Sequence, residues 1–199
     1  MNDFWLPHLA FTLLAFLLLA PIGRHRPLQA LKLCICLLLS LVPVQGISLA
    51  LHLRTYIGDL SVASLVLLGW ATLSRFGAPP AGARDRLASL ALFASLAVLL
   101  YPAALGLSYA DPYQLGFEPR PMLLVLGLLC AVLIVQRSWL GALALVLATL
   151  AFALRLGASE NYWDYLIDPY LALYSLGALL IAGGRWLLIR LSTRTRNLA

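Results

Sequence analysis

The sequence predicts an all-α, polytopic transmembrane helix bundle of about seven spans, and three observations carry that prediction. The chain is 62% hydrophobic and 11% charged over 199 residues, with a mean hydropathy of +0.92, which lies outside the range of soluble domains. Its apolar residues fall in long runs, as a bilayer core requires of helices of about 20 residues. Its charges also sort by sign. If every run crosses, Asp3, Asp59, Asp111, Glu118, Glu160, Asp164 and Asp168 share one side, while Arg24, Arg26, Lys32, Arg75, Arg84, Arg86, Arg137, Arg185, Arg190, Arg194 and Arg196 share the other. Asp85, Arg54, Arg120 and Arg155 are the exceptions. Removing any one span would invert every later break and mix the signs. Basic loops mark the cytoplasmic side, so the N-terminus is expected outside and the C-terminus in the cytoplasm. Residues 1–199 then form a single integral membrane domain.

The first predicted span, Phe4 to Ile22, follows Met-Asn-Asp with no basic residue, so it reads as a retained helix and not a cleaved signal peptide. The second is Leu28 to Leu53, the third Leu60 to Ser74 and the fourth Leu87 to Leu107. Met122 to Gln136, Trp139 to Arg155 and Pro169 to Ile189 complete the seven. The third and fifth are short, about 15 residues or ~22 Å of helix, and need help from flanking residues or a thinner bilayer. Trp5 and Trp163 fall at the outer boundary and Trp70, Trp139 and Trp186 near the inner one, where amphipathic rings anchor. Gly141, Ala144, Ala148 and Ala151 form a small-residue stripe on the sixth span, and Ala178 and Ala182 a shorter one on the seventh. Such stripes allow close helix packing.

Polarity enters the spans at one depth. Pro43, Gln45, Gly46 and Ser48 lie in the outer half of the second span, and Tyr101 and Pro102 in that of the fourth. Pro7 and His8 sit at the same level, as do His52, Arg54 and Arg155. A proline inside a span frees a carbonyl that lipid cannot satisfy. The pattern predicts either a cavity open to the outside between the second and fourth spans, or two helices merely kinked.

The longer outer connections, Ser108 to Pro121 and Gly157 to Asp168, hold Asp111, Glu118, Glu160, Asp164 and Asp168 together with Tyr109, Tyr113, Tyr162 and Tyr165. Arg155, Glu160, Asp164 and Asp168, interleaved with Tyr162, Trp163, Tyr165 and Tyr170, are the densest ionisable cluster. If Tyr162 to Ile167 turns as a helix, Glu160 and Asp164 share a face, as do Asp164 and Asp168. Such a row fits a cation, a sugar or a basic partner segment, or else a solvated rim. Asp168-Pro169 also has the form of a helix start, Asp at the N-cap and Pro at the first helical position.

Several chemistries are excluded by residue type and spacing. Cys34 and Cys36 are roughly 200° apart on a helix and cannot chelate one metal. Cys130 lies in another apolar run, so no metal site and no disulfide framework is expected. His8 and His52 lack a repeated pair or supporting motif for haem, and no cofactor is expected. No nucleophile-elbow, zinc-protease or phosphate-loop motif occurs. The formal charge of +6 is explained by topology and anionic headgroups, not by nucleic acid. No acid lies near a span centre, where ion-coupled transporters place one.

The sequence reading is therefore a multi-pass protein of a bacterial inner membrane, since thirteen Arg against one Lys in an Ala- and Leu-rich chain fits a GC-rich bacterial genome. It serves as a non-catalytic binding or partner subunit of a larger envelope or membrane-enzyme complex, touching membrane lipids and a membrane-protein partner. Its functional face is the outer side. Gln45, Tyr101, Arg155, Glu160, Tyr162, Trp163, Asp164 and Asp168 are the candidate binding residues. A carrier or flippase-like protein, with Gln45 and Tyr101 on the solute, is the alternative. A third is an outer-face enzyme on a lipid-linked substrate, with Asp164 or Asp168 as base and Arg155 on phosphate.

Overall fold

The computed structural model describes residues 5–19, 25–107 and 109–196, with side chains described as far as residue 190. Asp3, Phe4, Ile22, Arg24 and Ser108, which entered the sequence argument, lie outside those residues. The described chain is helical apart from one small hairpin. Its helices are α1 Trp5–Leu18, α2 Arg26–Leu41, α3 Leu49–Ile57, α4 Val62–Arg75, α5 Ala83–Ala104, α6 Pro119–Val135, α7 Trp139–Ala153, α8 Trp163–Leu166 and α9 Pro169–Arg196. A 3-10 turn covers Pro112–Gly116.

Two segments, Ala83–Ala104 and Pro169–Arg190, are long and apolar enough to cross a membrane, and Trp5–Leu18, Val62–Arg75, Pro119–Val135 and Trp139–Ala153 are shorter apolar helices. The predicted second span, Leu28 to Leu53, is not one helix. It is α2, then a hairpin of strands β1 Pro43–Val44 and β2 Ile47–Ser48, then α3. Pro43 lacks an N–H and drives its predecessor out of the helical region, and Val42 is extended at φ −61° and ψ 122°. Gln45 and Gly46 turn the chain at φ +50° and +90°. Two successive positive φ values are the signature of a tight hairpin turn. Ser48 then caps α3 by accepting from Leu51 N.

The core is centred on α7. Gly141, Ala144, Ala148 and Ala151 are all buried, so the predicted small-residue stripe faces neighbours within this chain. It packs against α4, α5, α6 and α8, and Leu92, Phe93, Leu96, Leu145 and Leu166 fill the space around it. A second cluster joins α1 to α4 through Ala10, Leu13 and Leu65. α2 packs on α1 and α3, whereas α5 packs on α9 and α7.

The charge pattern appears as two ends of the bundle. At one, Ser61 bonds to Asp168, and Tyr113 to Asp164; we call it the acidic end. At the other, Arg75 reaches the last turn of α1 and Asp85 reaches the start of α7; this is the basic end. α4 begins at the first and finishes at the second. Outward-facing residues such as Leu31, Leu38, Leu124, Leu128 and Val135 are large, apolar and exposed.

Candidate functional site

The acidic end is closed by two connections that lock into each other. Asp111 starts the 3-10 turn by accepting from Tyr113 N, and Pro112 supplies the fixed φ that such a turn uses. Trp163 Nε1 donates to the Pro112 carbonyl at 2.9 Å, Asn161 Nδ2 to the Tyr113 carbonyl at 2.9 Å and Tyr162 N to the Gly116 carbonyl at 3.0 Å. Asn161 Oδ1 also accepts from Trp163 N. Gly116 makes the close approach possible, because a Cβ there would lie 1.8 Å from Asn161 Oδ1.

Beneath this cap, Tyr162 is fully buried, with its hydroxyl 2.5 Å from Thr149 Oγ1 on α7 and its ring stacked on Phe152 at 4.6 Å. Burial pushes its phenol pKa upward. Tyr165 meets the edge of the same Phe152 ring and donates its hydroxyl to the Ser159 carbonyl. The predicted acidic-aromatic rim is thus a packed lid in which Tyr162, Trp163 and Tyr165 are buried, while Tyr109, Tyr113 and Tyr170 stay exposed.

The predicted cluster divides. Asp168 is 4% exposed and receives five donors. Tyr170 N and Leu171 N donate to Oδ1, which caps α9 as the Asp-Pro motif suggested, and Ser61 N, Ser61 Oγ and Ser64 Oγ donate to Oδ2. Asp164 stays exposed, its carboxylate held by Ser159 Oγ at 2.5 Å and Tyr113 Oη at 3.1 Å. Tyr113 is pushed up to about 12, first by burial and then by the adjacent Asp164 carboxylate, so it remains a neutral donor. Arg155 and Glu160 are exposed, and the single ion pair among the described residues is Arg54–Asp59, at 2.6 Å. Arg155 does not join the carboxylates. Gln45 is exposed on the hairpin turn, and Tyr101 lies half-buried against the core of α5. Those two sit on elements with different principal neighbours, and Pro102 lies inside α5, in its last turn. α2 packs mainly on α1 and α3, and α5 mainly on α9 and α7, so the two predicted walls of the outer cavity have different principal partners.

A cavity exists elsewhere. A groove of about 690 Å³ runs between α1, α3, α4 and α9, lined by Phe11, Leu14, Leu18, Leu67, Ala71 and Tyr174 among others. Its upper rim, Leu53, Ile57 and Leu60, is shared with a cleft of about 60 Å³ that contains Arg54, Asp59, Ser159 and Asp164. Its lower part, Leu67, Ala71 and Tyr174, is shared with a cavity of about 320 Å³ near the basic end, lined by Trp70, Ser74 and Arg86. The three are neighbours along α4, each adjoining the next through shared lining residues.

Sequence reasoning missed Ser61, Ser64, Asn161 and Gly116. The Ser61-x-x-Ser64 spacing was a readable helix-start signal, whereas the pairing of that start with Asp168 is tertiary. No three His, Cys, Asp or Glu side chains converge on a metal position among the described residues. Comparison with known proteins returns no match: no family model, no curated protein and no solved structure is significantly similar to this chain.

Proposed function

We propose that this chain is a seven-span membrane protein, N-terminus outside, that acts as a non-catalytic partner subunit of a larger complex in a bacterial inner membrane. The observation that carries this reading is the second half of α9. That helix has 28 residues, about 42 Å by its rise, against about 33 Å for the 22 residues of α5 beside it. Leu171, Ala172 and Ser175 are buried, but every residue from 180 to 190 is exposed. Leu180, Ile181, Trp186, Leu187, Leu188 and Ile189 thus project from all sides of an apolar helix. A helix that leaves its bundle with no packed face is suited to a second protein's groove or to lipid contact all round. The rigid lid at the acidic end adds a shaped polar surface for recognition, with Asp164, Glu160 and Arg155 displayed on it.

A photo-crosslinking residue at Gly184 in intact membranes should trap one discrete protein, and the same residue at Leu128 on α6 should trap none. Absence of an adduct at Gly184, with purification as a lone, monodisperse and active species, overturns the reading.

A second reading, a carrier or flippase-like protein, is favoured by the succession of three neighbouring cavities along α4. The absence of an adduct would fit it. For the enzyme reading, both oxygens of Asp168 are committed to helix ends, which leaves the exposed Asp164 as its candidate base.

A further inference from the structure

We propose that the groove between α1, α4 and α9 holds one acyl chain of an aminophospholipid from the outer leaflet, whose ammonium group enters the adjoining cleft. The inference assumes the membrane setting but not the partner role.

The argument begins with size. The groove of about 690 Å³ falls within the ~300–1,000 Å³ of small-molecule sites. Its lining runs from Leu60, just ahead of α4, down that helix to Ala71, eleven positions or about 16 Å at the helical rise. That length matches one leaflet, half of a ~30 Å hydrocarbon core. Its lining is almost wholly apolar, and Ser64, the one hydroxyl from a serine there, is turned to Asp168. A hydrocarbon chain satisfies such a wall and a polar solute does not.

The headgroup follows from charge. The cleft above shares Leu53, Ile57 and Leu60 with the groove, so a molecule with its tail below places its head there. Asp59, Asp164 and Arg54 line it, two carboxylates and one guanidinium, with a formal sum of −1. Ser159 and Tyr113 hold the Asp164 carboxylate in place, and about 60 Å³ admits a group no larger than a few waters. A primary ammonium fits a space of this size whose lining includes the carboxylates of Asp59 and Asp164. Arg54 donates one N–H to Asp59 and, of five donors on its planar fork, keeps others for a lipid phosphate. A zwitterionic ethanolamine phospholipid meets both demands; an anionic glycerol lipid meets only one.

The test is native mass spectrometry of the full chain in mild detergent, equilibrated with an equal mixture of phosphatidylethanolamine and phosphatidylglycerol. One tightly held lipid per chain is expected, with an ethanolamine preference of about tenfold, the equivalent of ~1.4 kcal/mol. Asp59→Asn with Asp164→Asn should bring that preference close to parity and leave the lipid count unchanged. Ala71→Trp, or Leu14→Trp from the opposite wall, should remove the bound lipid. Binding in the bulk ratio, no retained lipid, or an unchanged preference in the double Asn variant overturns the proposal. Because the wild type and the Asn variant decide the headgroup, the proposal stays testable even if a Trp variant misfolds. A Gly184 adduct bears only on the partner reading, so the two fail separately.

Discussion

Asp168, Asp85 and Arg75 are charged side chains placed where a helix of another segment ends. Helix ends leave backbone groups unpaired, and among apolar surroundings each unpaired group costs roughly 1–3 kcal/mol. Arg75 answers this for α1 by donating to the carbonyls of Phe16, Leu17 and Leu19 at 2.7–2.9 Å, with its guanidinium 5.2 Å from the Phe16 ring. Asp85, the one acid at the basic end, accepts from Ser138 Oγ and Leu140 N at the start of α7. Its exception to the charge pattern thus has a local cause. Asp168 serves two helix starts at once. Replacing it with Ala should leave the N–H of Ser61 and the first donors of α9 unmet and lower unfolding stability by roughly 3 kcal/mol. Asn, which keeps acceptors but loses the charge, should cost about 1 kcal/mol. Denaturant unfolding of the two variants in detergent, followed by circular dichroism, checks the order; equal stability of Ala and wild type would show that the buried carboxylate is dispensable. From sequence, Asp168 was legible as a helix cap because Asp-Pro is local, whereas its serine partners stand more than a hundred positions away.

The helices mostly stop by one device, a residue in the left-handed region that lets the last carbonyls be capped. Gly77 and Gly106 do this after α4 and α5 at φ +97° and +74°, with Ala78 N and Leu107 N closing back on the carbonyls of Leu73 and Pro102. After α6 and α7 the same position holds Arg137 and Arg155, at φ +58° and +51°, and Ser138 N and Leu156 N close the motif on Leu133 and Ala151. A side chain there costs ~1–2 kcal/mol that glycine avoids. Arg155→Gly should therefore raise stability by about 1 kcal/mol and shift the thermal midpoint upward. A fall in midpoint would mean that the guanidinium makes a stabilising contact at the lid. The helical elements themselves were readable from apolar runs, and six of the seven predicted runs lie over single helices. The second failed because a proline and a Gln-Gly pair inside an apolar run were read as irregularities of a span, when each favours a turn over a helix. Arg155 was placed among carboxylates on sequence proximity, but the left-handed turn after α7 separates its course from theirs.

At the scale of the whole chain, the separation of charge has a structural counterpart in the two ends of the bundle, which α4 joins. α4 and α7 have 14 and 15 residues, about 21 and 22 Å by their rise, less than a ~30 Å core. Both start on buried serines served by an Asp of another helix, and α4 finishes on Arg75. Short helices with polar groups stationed at their ends fit a locally thinned bilayer. The proposed seven-span arrangement, with α3 and the hairpin at the outer surface, would place Asp59 and Tyr113 outside and Gly77 and Arg137 inside. This is testable with single cysteines in a background where Cys34, Cys36 and Cys130 are Ser. A membrane-impermeant thiol reagent added to intact spheroplasts should label Asp59→Cys and Tyr113→Cys, and should reach Gly77→Cys and Arg137→Cys only after permeabilisation. The two inner positions are separated from each outer one by an odd number of spans, so labelling of all four from outside would remove the topology. It would also remove the leaflet assignment on which the lipid in the groove depends, since the Arg54, Asp59 and Asp164 cleft must open to the headgroups of that leaflet.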